Sequence, residues 1–227
     1  MKSYRIEVKK QVLIIIVLLM PILFSACAPF KIVKDSDINK AGVASNGDIF
    51  NADDYATKTW DDKVIKYFNQ KAVESDILIK AITENPDSAA IKYGYKNIQS
   101  GGELNFIVKG KGKVINIDKS SKNGIINIDL APYDKKSDVK IQIGSVIKET
   151  SIRDSLSSLK FDDFENQIDF AAVSNAYNKI VNDKVLKGID FGKSVNKEIE
   201  FIGAFTFDKD NGIMITPVNI KVLEGGK

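Results

Sequence analysis

The hydrophobic period of the sequence changes near Gly101, and this change constrains the fold more than any other feature. Before it, apolar residues recur every three to four positions, as they do on one face of a helix. After it, apolar and polar residues alternate, as they do in strands with one buried face. Separate helical and strand segments in one chain are typical of the α+β class.

Three helices are predicted upstream of this change. Asn51 is predicted to cap the first; the second and third are predicted at about Asp76–Thr83 and Ser88–Tyr93, and Gly94 is predicted as the glycine that ends the third. The first helix has an apolar face formed by Trp60, Val64, Tyr67, Phe68 and Ala72. These side chains fit either an aromatic ligand platform or a packed core between helices, and we favour the core.

Downstream of the change, strands and turns are predicted. "ELNFIVKG" and "GKVINIDK" are predicted as a hairpin around "KGKG", and Asn123-Gly124 as a type I′ turn before "IINIDLAP". "DVKIQIG" is a fourth strand, and "EIEFIGAFTFD" and "GIMITPVNIKVL" are a last hairpin. Three glycines suit bulges or close backbone approach in a curved sheet: Gly110, Gly112 and Gly203.

A long helix, about Phe164–Val185, is predicted between the fourth strand and the last hairpin. Its apolar stripe is formed by Phe164, Ile168, Ala172, Ala176 and Ile180, and is widened by Val173, Tyr177 and Val181. Four strands, a helix and two more strands match the plan of an OB-like β-barrel with one long inserted helix. The predicted fold is therefore α+β, with a small helical domain at residues 51–99 followed by an OB-like α/β barrel domain at residues 100–227.

The N-terminus has the pattern of an export signal that ends at a cysteine. Basic residues precede the apolar run Val12–Phe24, which is too short to cross a bilayer as a helix. The segment Leu23–Cys27 resembles a bacterial lipobox, although Phe24 departs from the usual aliphatic residue. Cys27 is the only cysteine of the chain. We predict a lipoprotein signal peptide at residues 1–26 and acylation of Cys27 as a permanent membrane anchor, since several acyl chains bind far more firmly than one.

Residues 27–50 are predicted to be the lipidated cysteine and a tether. Ala28 and Pro29 replace the aspartate that usually marks retention in the inner membrane. The expected location is thus the cell envelope, facing the periplasm or the outside, and the outer membrane if the host has one. Labelling by a palmitate analogue is the expected property of Cys27.

Composition narrows the classes of function. The chain contains no histidine, which excludes histidine-based triads and histidine-bound zinc or haem. Its net charge of +3 is carried entirely by the first ten residues, so the mature chain gives no electrostatic reason to bind nucleic acid. We expect no metal, no cofactor and no enzymatic activity.

Over Ile143–Asn178, polar residues stand among apolar ones without the regular spacing of a solvent-exposed face. Arg153 is one of only two arginines in a lysine-rich chain, and its planar fork fits a ligand carboxylate, phosphate or sugar hydroxyl. The alternative, which we favour, is a buried pair with Asp154, Asp162 or Asp163. Amide side chains in this stretch suit a sugar ligand or helix capping. The candidate residues for binding a ligand or partner are Arg153, Asp154, Asn166, Gln167 and Asn178.

Two further sets of residues leave alternatives open. Asn175, Asn178 and Asn182 share one helix face, which is more often a solvated stripe than a site. Asp162 and Asp163 are adjacent carboxylates that suit either acid–base or cation chemistry or, more simply, the N-terminus of the following helix.

The run Gly144-x-Val146-Ile147-x-x-Thr150-x-x-Arg153-Asp154 resembles the G-P-V-I-x-G-T-x-x-R-D segment of domain of unknown function 2291, a family of predicted periplasmic lipoproteins. Ser145 and Glu149 replace the usual proline and glycine. Further similar segments are "VKGKGKV", Phe161-x-x-Phe164-x-Asn166-Gln167, Asn175-Ala176-x-Asn178, Gly203-Ala204-Phe205 and Thr216-Pro217. The resemblance spans about Ala52–Val222. It implies a helical domain, an OB-like barrel and no established activity, in proteins that look like accessories of sugar-type ABC transporters.

The expected function is a lipid-anchored, non-catalytic envelope protein, an accessory that binds a small sugar-like ligand or an ABC transporter component. One alternative is a structural or interaction lipoprotein with no ligand site. The other is a hydrolase that uses Asp162 and Asp163, which requires two carboxyl groups about 5–9 Å apart for glycoside hydrolysis.

Overall fold

The computed structural model describes residues 50–96, 102–147, 149–210 and 212–223 of the chain. The predicted signal peptide, Cys27 and nearly all of the tether lie outside the described residues. Within the described ranges, no helix is both long enough and apolar enough to cross a bilayer.

The segment that precedes the sheet is helical, as predicted. Asn51 caps the first helix, because its side chain accepts a hydrogen bond from the Asp54 N–H at 3.1 Å. Asn85 caps the last in the same way through Ser88 N–H at 2.9 Å. The elements are α1 (Ala52–Thr59), a π-helical segment (Trp60–Ile65), α2 (Lys66–Lys71), α3 (Ser75–Glu84) and α4 (Pro86–Tyr93).

The apolar face of the first helical segment packs into the core. Trp60, Val64 and Phe68 are at most 2% exposed, which confirms the core interpretation over an aromatic ligand platform. α4 ends at Gly94, as predicted, but with φ −93° this glycine does not have the left-handed conformation typical of a terminating glycine. Gly94 starts a strand instead, and an added Cβ would lie 2.9 Å from Ala90 O and 3.0 Å from the Phe106 ring.

Within the described residues, seven strands form one sheet, and five of them close into a ring through their pairings. The order is β3-β4-β5-β7-β6, and β6 returns to pair with β3. The short β1 and β2 pair only with β3, the first parallel to it and the second antiparallel. The strands are β1 (Val73–Glu74), β2 (Gly94–Lys96), β3 (Leu104–Asp118), β4 (Ile125–Leu130), β5 (Val139–Gln142), β6 (Glu198–Thr206) and β7 (Met214–Val222).

The predicted hairpin around "KGKG" is wrong, because β3 runs through it as one strand of 15 residues. Gly110 and Gly112 serve close packing, not a turn. An added Cβ on Gly110 would lie 2.5 Å from Ser75 Oγ, and one on Gly112 would lie 2.8 Å from Asp129 O. Three strands of the ring, β3, β4 and β5, thus precede the inserted helix in place of the four predicted, and the last hairpin, β6–β7, is confirmed.

The β3–β4 connection also differs from its prediction. Only Gly124 has a positive φ there, at +41°, whereas a type I′ turn needs positive values at Asn123 as well. The connection is held by the start of the Gly144–Asp154 run, since Gly144 N–H donates to Asn123 O at 3.0 Å.

The inserted helix starts later than predicted, and most of its predicted stripe is buried. Asn166 caps it, and Ile168, which was predicted to be in the apolar stripe, is 71% exposed. Ala176, Ile180, Val173, Tyr177 and Val181 are buried as predicted, and Phe170, which was not predicted, joins them. The elements between β5 and β6 are α5 (Ser151–Asp154), a 3₁₀ turn (Phe161–Asp163), α6 (Gln167–Ile180), a π-helical segment (Val181–Leu186) and a second 3₁₀ turn (Phe191–Lys193).

The α+β class is confirmed, and one hydrophobic core serves both parts of the described chain. Phe68 from the helical region and Phe106, Phe205 and Ile141 from the sheet are all at most 1% exposed. Phe50–Lys227 cluster into one unit by their contacts. The division into domains at residues 51–99 and 100–227 stays a prediction, and both segments contribute to the same core.

Candidate functional site

Arg153 and Asp154 form a buried ion pair on α5. Arg153 Nε donates to Asp154 Oδ1 at 2.8 Å and Nη2 donates to Oδ2 at 3.0 Å, a bidentate arrangement that lysine cannot reproduce. The two side chains are 6% and 3% exposed. Of the alternatives for Arg153, the buried pair is therefore the one the structure contains.

The same arginine joins α5 to α6. Its Nη1 donates to Phe170 O at 3.2 Å, and the guanidinium lies 4.0 Å from the centre of the Phe170 ring. On the opposite side, Ser151 Oγ donates to Ala204 O on β6 at 3.3 Å. Arg153 thus helps to fix α5 between the sheet and the inserted helix.

Asn178 holds the backbone that leads into α5. It is 6% exposed, and its Nδ2 donates to Ile147 O at 3.2 Å and Glu149 O at 2.8 Å. Asn182, one turn later, donates to Ser145 O at 3.2 Å. The interpretation of these asparagines as a solvated stripe is therefore wrong for both of them, which connect α6 to the loop from β5.

Asn166 and Gln167 lie at the exposed start of α6. Asn166 Oδ1 accepts hydrogen bonds from the N–H groups of Ile168 and Asp169, both at 2.9 Å, and its Nδ2 donates to Asp169 Oδ2. The amide of Asn166 is therefore used for capping. Gln167 is the first residue of the helix and is exposed.

The adjacent carboxylates Asp162 and Asp163 are exposed in a 3₁₀ turn. Asp163 Oδ2 accepts a hydrogen bond from Lys160 N–H at 2.9 Å, so it caps this turn. Its charge also contributes, after burial, to raising the pKa of Tyr55. The carboxyl groups of Asp162 and Asp163 are therefore not arranged as a general acid that faces a general base.

A half-buried carboxyl group lies close to the motif at Glu149. Burial raises its pKa, and the charges of Glu103 and Asp208 raise it further. Within the described part of the chain, no three acidic, cysteine or histidine side chains come together as metal ligands. Burial, together with repulsion among acidic groups, explains the raised pKa of Glu149 without a ligand.

A cavity of about 220 Å³ lies beside the C-terminal end of α5. Side chains from α2, α4, β2, β3 and the residue after α5 line it, among them Tyr67, Lys71, Lys92, Tyr93 and Ser155. Sequence reasoning missed this cavity. Its lining residues come from segments far apart in the chain, and Ser155 follows the Arg153-Asp154 pair without a distinguishing pattern of its own.

Ser155 is the most unusual of these residues. It caps the C-terminal end of α5, where its N–H donates to Ser151 O at 3.0 Å. The residue is 1% exposed, and among the described residues its Oγ is a buried side-chain oxygen without a hydrogen-bond partner. Such a group is uncommon, because burying an unpaired hydroxyl destabilises a fold.

A comparison with solved structures supports the description of the sheet. The chain is similar to a crystal structure of an OB-fold protein from Thermotoga maritima, with a TM-score of 0.62 and 24% identity. The match covers 77% of this chain and 99% of the other. At this identity the likeness concerns the fold alone. No functionally curated protein matches the sequence.

The comparison with family models is broader. The model described as "Predicted periplasmic lipoprotein (DUF2291)" matches residues 15–221. The matched range includes the end of the apolar export run, Cys27, the Arg153-Asp154 motif and all seven strands except the last residue of β7. The chain therefore belongs to the DUF2291 family of predicted periplasmic lipoproteins.

Proposed function

We propose that the protein is a non-catalytic accessory of the cell envelope, anchored by lipid on Cys27 and acting by binding through its OB-like domain. The observation that carries this proposal is the extent of the family match. It begins at residue 15, upstream of Cys27, and continues to residue 221, so the export run, the single thiol and the folded domain belong to one family pattern. Residues 28–49 link the thiol to the described domain.

The non-catalytic role is supported by what the polar residues already do. The sequence has no histidine. Asp163 caps a turn, and Arg153 and Asp154 neutralise each other inside the fold. These contacts favour a structural use for the groups that a hydrolase would have needed.

The proposed binding partner is a component of a sugar-type ABC transporter or a small sugar-like ligand. The support for this partner is the family resemblance of the motif residues. Among the five candidate residues, Asn166 and Gln167 are exposed, whereas Arg153, Asp154 and Asn178 are buried. A contact made by this set would therefore be made at the start of α6.

A second candidate is a structural or interaction lipoprotein with no ligand site. The observation that favours it is the set of contacts that Arg153, Asp154 and Asn178 make inside the fold. Their described hydrogen bonds all join groups of the protein itself.

The anchor is tested by feeding cells an alkyne-bearing palmitate analogue and comparing the wild type with Cys27→Ser. We expect label on the wild-type protein and none on Cys27→Ser, which should also leave the membrane fraction. Ser36→Ala is the matched control, because it alters the same segment and keeps the thiol. Label retained on Cys27→Ser would contradict the anchor. Separation of inner and outer membranes then tests the predicted outer-membrane location.

The partner is tested by crosslinking the wild-type protein in intact cells and identifying the captured proteins. Recovery of a transporter subunit, reduced by Gln167→Ala, supports the accessory role. Capture that is identical for both proteins and contains no transporter subunit favours the second candidate.

A further inference from the structure

We infer that the cavity beside Ser155 is a binding site for a small organic anion, a phosphate- or carboxylate-bearing metabolite. The inference deepens the binding role proposed above and rests on it. It concerns a different surface from the start of α6.

The first support is the unpartnered hydroxyl. Ser155 lines the cavity, and its Oγ is buried without a partner in the described residues. Leaving a buried hydroxyl unpaired is unfavourable, whereas a bound oxygen in the cavity would satisfy it. Asn105, which is 2% exposed and also lines the cavity, uses one amide hydrogen on Glu103 O at 3.3 Å and has a second to donate.

The second support is the charge of the lining. Lys71 and Lys92 both contribute to the cavity wall, and neither has an ion-pair partner among the described residues. No aspartate or glutamate is among the residues that line the cavity. Two lysines in a lining without acidic residues favour an anion, since charge-assisted hydrogen bonds to phosphate or carboxylate oxygens are about twice as strong as neutral ones. The Lys92 ammonium lies 4.9 Å from the centre of the Tyr93 ring, and Tyr93 also lines the cavity.

The third support is the shape and the aromatic content. Tyr67, Tyr93 and Tyr95 line the cavity together with the polar groups, a mixture that suits a ligand with both an apolar face and hydroxyl groups. The volume of about 220 Å³ is below the range of about 300–1,000 Å³ that holds drug-sized ligands, so the ligand is a small metabolite.

In the proposed site, the buried ion pair of Arg153 and Asp154 positions Ser155. Ser155 directly follows Arg153 and Asp154, and the pair fixes α5 against α6. The turn that presents the hydroxyl to the cavity is therefore held in place by the family's most specific motif residues.

The test is calorimetric titration of the full-length protein, purified in a mild detergent, with glucose 6-phosphate, gluconate and glycerol 3-phosphate. Glucose and glycerol are the uncharged counterparts. We expect at least one anion to bind and its counterpart to bind about tenfold or more weakly. Tighter binding of glycerol 3-phosphate identifies a lipid headgroup as the source, and tighter binding of the other two identifies a free metabolite.

Two variants place the site. Lys71→Gln/Lys92→Gln should weaken anion binding about tenfold or more, and Ser155→Ala should weaken it while leaving the melting temperature unchanged or raised, because it removes an unpaired hydroxyl. Lys58→Gln/Lys184→Gln is the matched control, since both lysines are exposed and neither lines the cavity. The inference is overturned if no anion binds, if the counterparts bind equally well, or if both cavity variants bind like the wild type. None of these results affects the labelling of Cys27.

Discussion

The ion pair of Arg153 and Asp154 should be one of the most sensitive points of the fold. Asp154→Leu removes two charged hydrogen bonds of 2.8 and 3.0 Å and leaves a guanidinium that is 94% buried without its carboxylate. Breaking a buried pair in this way costs about 3–5 kcal/mol. For a domain of this size each kcal/mol lowers the melting temperature by about 2–4 °C, so we expect a fall of about 10 °C.

Urea unfolding followed by circular dichroism measures this effect, and two further variants separate its causes. Arg153→Met/Asp154→Leu removes both charges and should recover at least half of the loss, because an apolar pair avoids the buried unpaired charge. Lys179→Gln breaks the exposed pair with Asp53, whose side chains are 61% and 58% exposed, and should change stability by less than about 1 kcal/mol. The reasoning is refuted if Asp154→Leu behaves like Lys179→Gln, or if the double variant is no more stable than Asp154→Leu.

Two other predictions test the sheet and the inserted helix. Gly203→Ala should destabilise the protein by about 1–3 kcal/mol in urea unfolding, because the new Cβ would lie 2.5 Å from both Ile215 Cγ2 and Thr216 O; Gly192→Ala, which meets only a movable side chain at 3.1 Å, is the control, and equal effects would contradict the packing argument. Burial raises the pKa of Tyr177 from 10.0 to about 12, so its contribution to stability is complete below pH 10 and is lost as the pH rises from 10 to 12, on the order of 2 kcal/mol. The Tyr177→Phe protein should therefore lose less stability than the wild type between pH 9.5 and 11.5, and parallel losses would show that Tyr177 does not ionise in this window.

Features that depend on near neighbours in sequence were predictable. Asn51 caps α1 because its side chain reaches an N–H group three residues away, and the β6–β7 hairpin joins adjacent strands. The pairing of Arg153 with Asp154 was among the alternatives for the same reason, since the two residues are adjacent.

Features that depend on partners distant in the sequence were not predictable. The glycines of "KGKG" serve equally well in a turn or at a close approach, and the side chains that pack against Gly110 come from Ser75 and Phe201. The predicted apolar stripe of α6 is buried at Ala176 and Ile180 but not at Ile168, which lies in the first turn after the cap at Asn166. Ser155 could not be recognised as a candidate site residue from the sequence, because the cavity beside it is formed by α2, α4 and β3 together.

The central position of β3 has a consequence for the order of events when the chain is made. Its first half pairs with β6, and the pair Asn105 and Thr206 joins residues 101 positions apart. The ring therefore cannot close until almost the whole chain is available, and pairings of such long range are slow to form. In a chain secreted from its N-terminus, β3 would lack its main partner, β6, until the β6–β7 hairpin had emerged. The domain would therefore stay open, and able to pass through as an extended chain, throughout export.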